Sequence, residues 1–146
     1  MSTQARPAAA PRTFAQRFSA TPRGARLARR LARYHLDGWG IAYDTELSDA
    51  AEAIVAELAA NAVTHGLVPG LDFELGLTLR ADTLRIEVAD ARAEGAPLVA
   101  RDAPSPERET GRGLTIVAAL AVEWGVVGRK AGKTVWAELA VDSQPH

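Results

Sequence analysis

The spacing of apolar residues divides the chain into helical and extended stretches. Apolar residues recur at helical spacing over residues 22–36 and again over residues 47–65, which predicts two helices. Thr21 and Pro22 supply an N-cap and a first-turn proline for the first of them. After residue 72 the apolar residues fall at every second position, which predicts a β-hairpin with strands near 73–79 and 84–88.

The rest of the chain predicts shorter elements around a long loop. An edge strand is expected over residues 13–18, a helix over 114–121, and two last strands over 123–128 and 134–141. Residues 91–110 contain three prolines and show no periodicity, and we interpret them as a lid over a functional site. This order of elements favours an α/β two-layer sandwich, with a mixed, mostly antiparallel sheet covered on one face by helices.

Length and composition limit the classes of protein to consider. The 146 residues predict one domain over residues 12–141, with disordered tails at 1–11 and 142–146. A formal net charge of -1 gives no attraction to nucleic acid or to an anionic membrane. The chain has no cysteine and no apolar run that could span a bilayer, so we expect a soluble cytoplasmic protein.

The second predicted helix carries a polar row beside its apolar stripe. Glu57, Asn61 and His65 are spaced four residues apart and therefore share one face. An asparagine oxygen is a neutral ligand suited to Mg²⁺, and a glutamate one turn away can accept a proton from a hydroxyl or water that attacks a phosphate. A solvated polar edge of the helix is the alternative interpretation.

Two further segments offer groups that could bind a nucleotide. Asp90 ends the second strand of the hairpin, where its carboxylate could accept the amino hydrogen of adenine, although an aspartate there is also a common turn former. The segment Gly111-Arg112-Gly113-Leu114 opens a helix, and backbone N–H groups at a helix N-terminus favour a phosphate. Two glycines before a helix also make an ordinary tight turn.

The ordered set of these segments resembles the Bergerat-fold (GHKL) ATP-binding superfamily. Within it, the chain is similar to the small anti-sigma-factor serine/threonine kinases and their stand-alone actinobacterial relatives, and the tryptophans near the end point to that branch. The resemblance spans residues 12–140 and is carried by residues 57–66 (ELAANAVTHG), 85–90 (RIEVAD), 111–117 (GRGLTIV), 121–125 (AVEWG) and 132–137 (GKTVWA).

The resemblance implies a complete ATP site with Mg²⁺. Asn61 would hold the metal, Glu57 would be the general base, and Asp90 would read adenine with support from Thr134. Gly111 and Gly113 would form the phosphate lid, with Arg112 and Leu114 in the same nucleotide-binding segment.

The resemblance also implies a regulatory role in transcription. The protein would be an anti-sigma factor that phosphorylates an anti-anti-sigma (STAS-type) partner, binds a sigma factor, or does both. A homodimer formed through the first helix would also fit.

One departure from the family pattern keeps a second function open. The family usually reads D-x-G-x-G at the adenine aspartate, whereas this chain reads Asp90-Ala91-Arg92-Ala93-Glu94-Gly95. The missing glycines favour a catalytically silent protein-binding module with weak or no ATP binding. Glu57 and Asn61 favour the enzyme.

Overall fold

The computed structural model describes residues 10–65, 72–91, 112–129 and 132–141. These residues form five strands and three helices. The strands are β1 (Arg12–Ser19), β2 (Asp72–Leu79), β3 (Thr83–Ala91), β4 (Glu123–Arg129) and β5 (Gly132–Ala140). The helices are α1 (Pro22–Gly38), α2 (Glu46–His65) and α3 (Arg112–Leu120).

The elements predicted from apolar spacing are all present, with ends shifted by a few residues. The N-cap is confirmed, because the Thr21 hydroxyl accepts a hydrogen bond from the Gly24 backbone N–H at 3.0 Å. The proposed lid from residue 92 onward, Gly111, residues 1–9 of the first predicted tail and all of the second lie outside the described residues. Their roles stay predictions.

The sheet has the strand order β1-β2-β3-β5-β4. All four ladders are antiparallel, which confirms the expected predominance of antiparallel pairing. Strand β5 lies between β3 and β4 in the sheet, because the last two strands form a hairpin whose second strand pairs with β3. Strands β1 and β4 are therefore the two edges of this sheet.

The three helices cover one face of the sheet, which makes the two-layer α/β sandwich that the sequence predicts. Helix α2 is central: it packs on β2, β3 and β5, with α1 and α3 against its sides. The core between the layers contains Ile54, Leu58, Phe73, Leu75 and Ile86, each at most 1% exposed. No helix among the described residues is long and apolar enough to cross a membrane.

Ion pairs attach α1 to α2 on the solvent side of the helical layer. Arg29 and Arg33 approach the two carboxylate oxygens of Glu52 at 3.5 Å each. The Arg33 guanidinium also lies 4.9 Å from the centre of the Tyr43 ring. Two of the five arginines of α1 are thus part of its packing on α2, while Arg23, Arg26 and Arg30 are exposed.

Candidate functional site

Glu57 and Asn61 lie one turn apart on the flank of α2. Both side chains are half-buried, whereas the neighbouring Leu58 and Ala62 are buried in the core. The two polar groups are therefore held at the boundary of the core, since a helix places residues i and i+4 on the same face. The polar row predicted from the sequence exists up to Asn61, and the side chain of His65 is outside the described set.

The Asn61 amide nitrogen is buried and has no hydrogen-bond partner among the described residues. A buried amide that makes no hydrogen bond costs about 1–3 kcal/mol, so such groups are uncommon in folded proteins. The amide group could be satisfied by a ligand that brings acceptor oxygens to this point. A phosphate oxygen is such an acceptor.

Asp90 lies half-buried near the end of β3, on the side of the sheet that faces the helices. Leu84, Ile86 and Val88 alternate as buried residues of that face, and Asp90 continues the series. The backbone N–H of Lys133 on β5 donates to Asp90 Oδ1 over a long 3.4 Å. The strand pairing thus fixes the carboxylate at the helix-facing end of the sheet.

Gly132 is the residue that lets β5 approach Asp90. Its φ is +136°, a backbone conformation that residues with a side chain rarely adopt. A Cβ built on Gly132 would overlap the backbone carbonyl oxygen of Asp90 and would also lie 3.4 Å from Oδ1. Any residue other than glycine would push the start of β5 away from the end of β3.

Thr134 is paired with Ala89, and Lys133 is paired with Asp90. Directly opposed residues of an antiparallel pair share a face, and neighbours along a strand alternate between faces. The Thr134 side chain therefore lies on the outer face of the sheet, away from Asp90. This register argues against the expected support of Asp90 by the Thr134 side chain.

Two positions near Asp90, Gly132 and Lys133, are not predicted as site residues by the sequence pattern. A signal for Lys133 was present, because Val135, Ala137 and Leu139 alternate as the inward-facing residues of β5 and Lys133 continues their series. The closeness of Gly132 to Asp90 could not be predicted from such an alternation, because it depends on the pairing of β5 with β3.

The start of α3 holds the remaining predicted residues. The backbone of Arg112 and Gly113 belongs to the first turn of the helix, and Gly111 lies outside the described residues. Leu114 is 4% exposed and belongs to the core. Its side chain is therefore a packing group, and only its backbone N–H is placed in the helix-terminal position that favours a phosphate.

The candidate residues gather toward one end of the sandwich. Ala140 at the end of β5 and Leu120 at the end of α3 line the same groove as the first turns of α2. Because β5 runs antiparallel to β3, the C-terminal half of α2 lies toward the end of β3 that carries Asp90. The first turn of α3 extends toward the same half of α2, against which the helix packs.

This groove is separate from the candidate site. It has a volume of about 870 Å³ and is lined by residues at the amino end of α2, among them Leu47, Ala50 and Ala53. Glu57, Asn61 and Asp90 are not part of its lining. The groove is thus at the opposite end of α2 from the candidate chemistry, and its size says nothing about a nucleotide site.

The donor groups at the candidate site suit a magnesium nucleotide better than an isolated metal ion. Among the described residues, no three His, Cys, Asp or Glu side chains come together as a metal cage. Mg²⁺ needs few protein ligands when phosphates and water complete its octahedron. One amide, with its nitrogen still unsatisfied, together with a carboxylate one turn away, fits that arrangement.

Comparison with known proteins identifies the class of domain. The sequence model of the family described as histidine kinase-like ATPase domain matches residues 18–139. This range holds every candidate residue from Glu57 to Thr134 and nearly all of the sandwich. No curated protein matches the chain.

Proposed function

Because this chain belongs to the family of histidine kinase-like ATPase domains, part of the GHKL superfamily, we propose that it is a regulatory protein that binds ATP with Mg²⁺. The observation that carries this proposal is the buried Asn61 amide nitrogen without a hydrogen-bond partner. In a protein that bound no ligand there, this group would only reduce stability. A nucleotide would supply the acceptor that the described part of the chain does not provide.

Each residue of the site has a distinct part in this function. Asn61 would hold Mg²⁺ through its amide oxygen, and its amide nitrogen would donate to a phosphate. Asp90 would accept the adenine amino hydrogen, and the first backbone N–H groups of α3 would bind phosphate oxygens. When bound, the metal would neutralise the charge of the phosphates.

We propose further that the bound ATP serves phosphoryl transfer to a protein hydroxyl. A serine hydroxyl of the partner would attack the γ-phosphorus, the bond to the β-phosphate oxygen would break, and ADP would leave. The Glu57 carboxylate would accept the serine proton. Phosphoryl transfer depends mainly on positioning and charge neutralisation, and the half-buried Glu57 is held by the same helix as Asn61.

The resemblance of the sequence to small anti-sigma-factor kinases supports a specific substrate class. We propose that the phosphorylated protein is an anti-anti-sigma (STAS-type) partner and that the chain also binds a sigma factor. The tryptophans of the last hairpin, Trp124 and Trp136, carry that part of the resemblance. This assignment is independent of ATP binding, which could hold with another partner.

A silent binding module is the second candidate, and one observation favours it. Strand β3 continues past Asp90 to Ala91, which is paired with Gly132. At the two glycine positions of the family pattern D-x-G-x-G, this chain has Arg92 and Glu94. Backbone close to the adenine would then be less free to approach the base.

A thermal melt with and without MgATP separates the two candidates. A ligand at about a hundredfold its dissociation constant stabilises the native state by about 2.7 kcal/mol, which raises the midpoint by roughly 5–11 °C in a domain of this size. We expect this rise in the wild type and in Thr64→Ala, an exposed control on the last turn of α2. We expect its loss in Asn61→Ala.

The same melt can overturn the proposal. If saturating MgATP leaves the midpoint unchanged while the protein is folded, the chain is a silent module. If the rise persists in Asn61→Ala, ATP binds without the residue on which the proposal depends.

A further inference from the structure

The groove at the amino end of α2 is lined mainly by apolar side chains from three parts of the fold. They come from the loop between α1 and α2, from the first two turns of α2, and from the chain at the ends of α3 and β5, and they include Ile41, Leu47, Ala50, Ala53, Leu120 and Val141. A concave, apolar surface of this size is typical of a binding site.

Hydrogen bonds hold the walls of the groove in place. The Thr45 hydroxyl donates to the Ala42 carbonyl oxygen at 2.8 Å and accepts from the Ser48 backbone N–H at 3.1 Å, so Thr45 ties the loop to the start of α2. On the opposite wall, the Val141 backbone N–H donates to the Asp82 carbonyl oxygen at 3.0 Å. The groove is thus formed before a ligand arrives, and binding orders few further groups.

Large apolar residues next to the groove are exposed. Leu120, which lines it, is 39% exposed. Tyr43 and Val122 follow lining residues along the chain by one and two positions, and they are 42% and 70% exposed. Single apolar residues on a surface are ordinary, but several beside an apolar groove indicate an interaction site.

The charge around the groove is negative. Every charged residue of its lining is acidic, and Asp49 among them is exposed and belongs to no ion pair between described residues. Asp44 is exposed in the loop that forms one wall. The sequence contains no lysine or arginine between Arg33 and Arg80. A ligand with positive charge beside an apolar surface is therefore complementary to the groove.

The shape of the groove fits a helix. Helix α3 ends at Leu120, on the edge of the groove, so no described helix covers the first two turns of α2 on this side. Ala50 and Ala53 are three residues apart on that flank, and their small side chains let the backbone of another helix approach closely. An amphipathic helix in an apolar groove is a common mode of peptide recognition.

Neither α1 nor the terminal segments of this chain have the required chemistry. The apolar face of α1 is buried in its own core through Ala28, Ala32 and Leu36, so it cannot fill the groove of a second copy. Residues 1–9 contain one arginine and no large apolar residue after Met1, and residues 142–146 contain no lysine or arginine. These observations favour a segment of a different protein.

We propose that the groove binds an amphipathic helix of another protein, with its apolar face against α2 and with lysine or arginine side chains near Asp44 and Asp49. This second binding surface does not depend on ATP, because the groove lies at the opposite end of α2 from Asn61. The acidic residues are exposed, so they contribute mainly to the rate of association and to its dependence on salt.

A displayed library of random peptides tests this chemistry directly. Peptides are selected on the wild type and counter-selected on Ala53→Arg, in which a long cationic side chain enters the groove. We expect the enriched peptides to share apolar residues three and four positions apart, together with lysine or arginine. If no peptide is enriched, or if the enriched peptides are acidic, the proposal is wrong.

Fluorescence anisotropy then measures the affinity of the most enriched peptide for charge-reversal variants. Asp49→Lys should weaken binding by about tenfold or more, because it replaces an attraction by a repulsion. Asp72→Lys is the matched control, since Asp72 is exposed at the other end of the sheet, paired with Ser19, and it should bind as the wild type does. Equal affinities of Asp49→Lys and Asp72→Lys would exclude the groove.

The fold of the variants and the other possible occupant are checked separately. Thermal melts show whether Ala53→Arg is folded, and Asp49→Lys tests the groove without it because Asp49 is exposed. Sedimentation velocity without peptide tests a second copy of the chain as the occupant. If the wild type self-associates and Asp49→Lys abolishes this association, the groove holds a second copy and the proposed partner is wrong.

Discussion

Gly132 contacts the backbone of Asp90 so closely that a side chain at position 132 would overlap the Asp90 carbonyl oxygen. Gly132 is the first residue of β5, has a positive φ, and is paired with Ala91 of β3. The position of the Asp90 carboxylate therefore depends on the absence of a Cβ on the neighbouring strand.

Gly132→Ala should weaken MgATP binding through this contact. The strand ends must separate to relieve the overlap, and the strained φ alone costs on the order of 1–3 kcal/mol. We expect a lower melting midpoint and at least a roughly tenfold weaker MgATP affinity by isothermal titration calorimetry. Gly76→Ala is the control, because the nearest atom to its added Cβ is the Phe14 carbonyl oxygen at 4.0 Å. Equal MgATP affinities in the two variants would separate Gly132 from the site.

Asn61→Leu should make the protein without nucleotide more stable while it abolishes MgATP binding. The substitution removes a buried amide nitrogen that lacks a partner and introduces a residue with higher helix propensity. We expect the free energy of unfolding in urea to rise by about 1 kcal/mol. A loss of stability on this substitution would mean that the amide is satisfied in the free protein.

Glu57→Gln should separate binding from phosphoryl transfer. The amide keeps the size of the side chain but cannot accept the serine proton at neutral pH, so the MgATP-induced rise in midpoint should remain. Transfer of labelled phosphate to a purified STAS-type anti-anti-sigma protein should fall by about a hundredfold or more. Glu46→Gln, exposed in the first turn of the same helix, is the control. Undiminished transfer in Glu57→Gln would remove Glu57 from the mechanism.

Arg85 joins three residues on the outer face of the sheet. Its Nε donates to Glu87 at 2.6 Å, its Nη1 donates to Glu138 at 2.9 Å, and its guanidinium lies 4.3 Å from the Trp136 ring centre. Partial burial opposes the charged form, but the hydrogen bonds to the two carboxylates outweigh it and raise the pKa of Arg85. The stabilising effect of a raised pKa is lost only at a pH above the pKa of the free group, so Arg85 keeps its positive charge throughout the neutral range.

Arg85→Ala should lower the free energy of unfolding by about 1–2 kcal/mol, because it removes the ion pairs and the contact with the Trp136 ring. Arg85→Lys should recover part of the loss, since an ammonium cannot bind both carboxylates as a planar fork does. Chemical denaturation measures both effects. Arg80→Ala, at an exposed arginine outside any ion pair among the described residues, should change stability little. Similar losses in Arg85→Ala and Arg80→Ala would mean that the cluster adds no stability.

The sequence predicts the local elements well and the relations between distant ones less well. Helix α2 is readable from residues such as Ile54 and Leu58, and the hairpin of β2 and β3 from the alternation that includes Leu77 and Ile86, because each pattern is contained in one segment. The face on which Thr134 lies cannot be predicted from one segment. It depends on the register between β3 and β5, and a shift of one residue reverses the face of every side chain.

The candidate site divides in the same way. Glu57 and Asn61 share a helix, so their spacing is enough to place them together. The approach of Gly132 to Asp90 and the inward position of Lys133 arise from strands that are separated along the chain by α3 and β4. No local pattern contains that information.

The pairing of β1 with β2 also has a consequence for the synthesis of the protein. Ser19 and Asp72 are the paired residues nearest to each other along the chain, and both helices α1 and α2 lie between them. At roughly 5–20 residues per second, β2 emerges from the ribosome about 3–11 seconds after β1. During that time Phe14 and Phe18 lack the strand with which they pair in the folded protein, and the positive charges of Arg12 and Arg17 beside them oppose aggregation of the nascent segment.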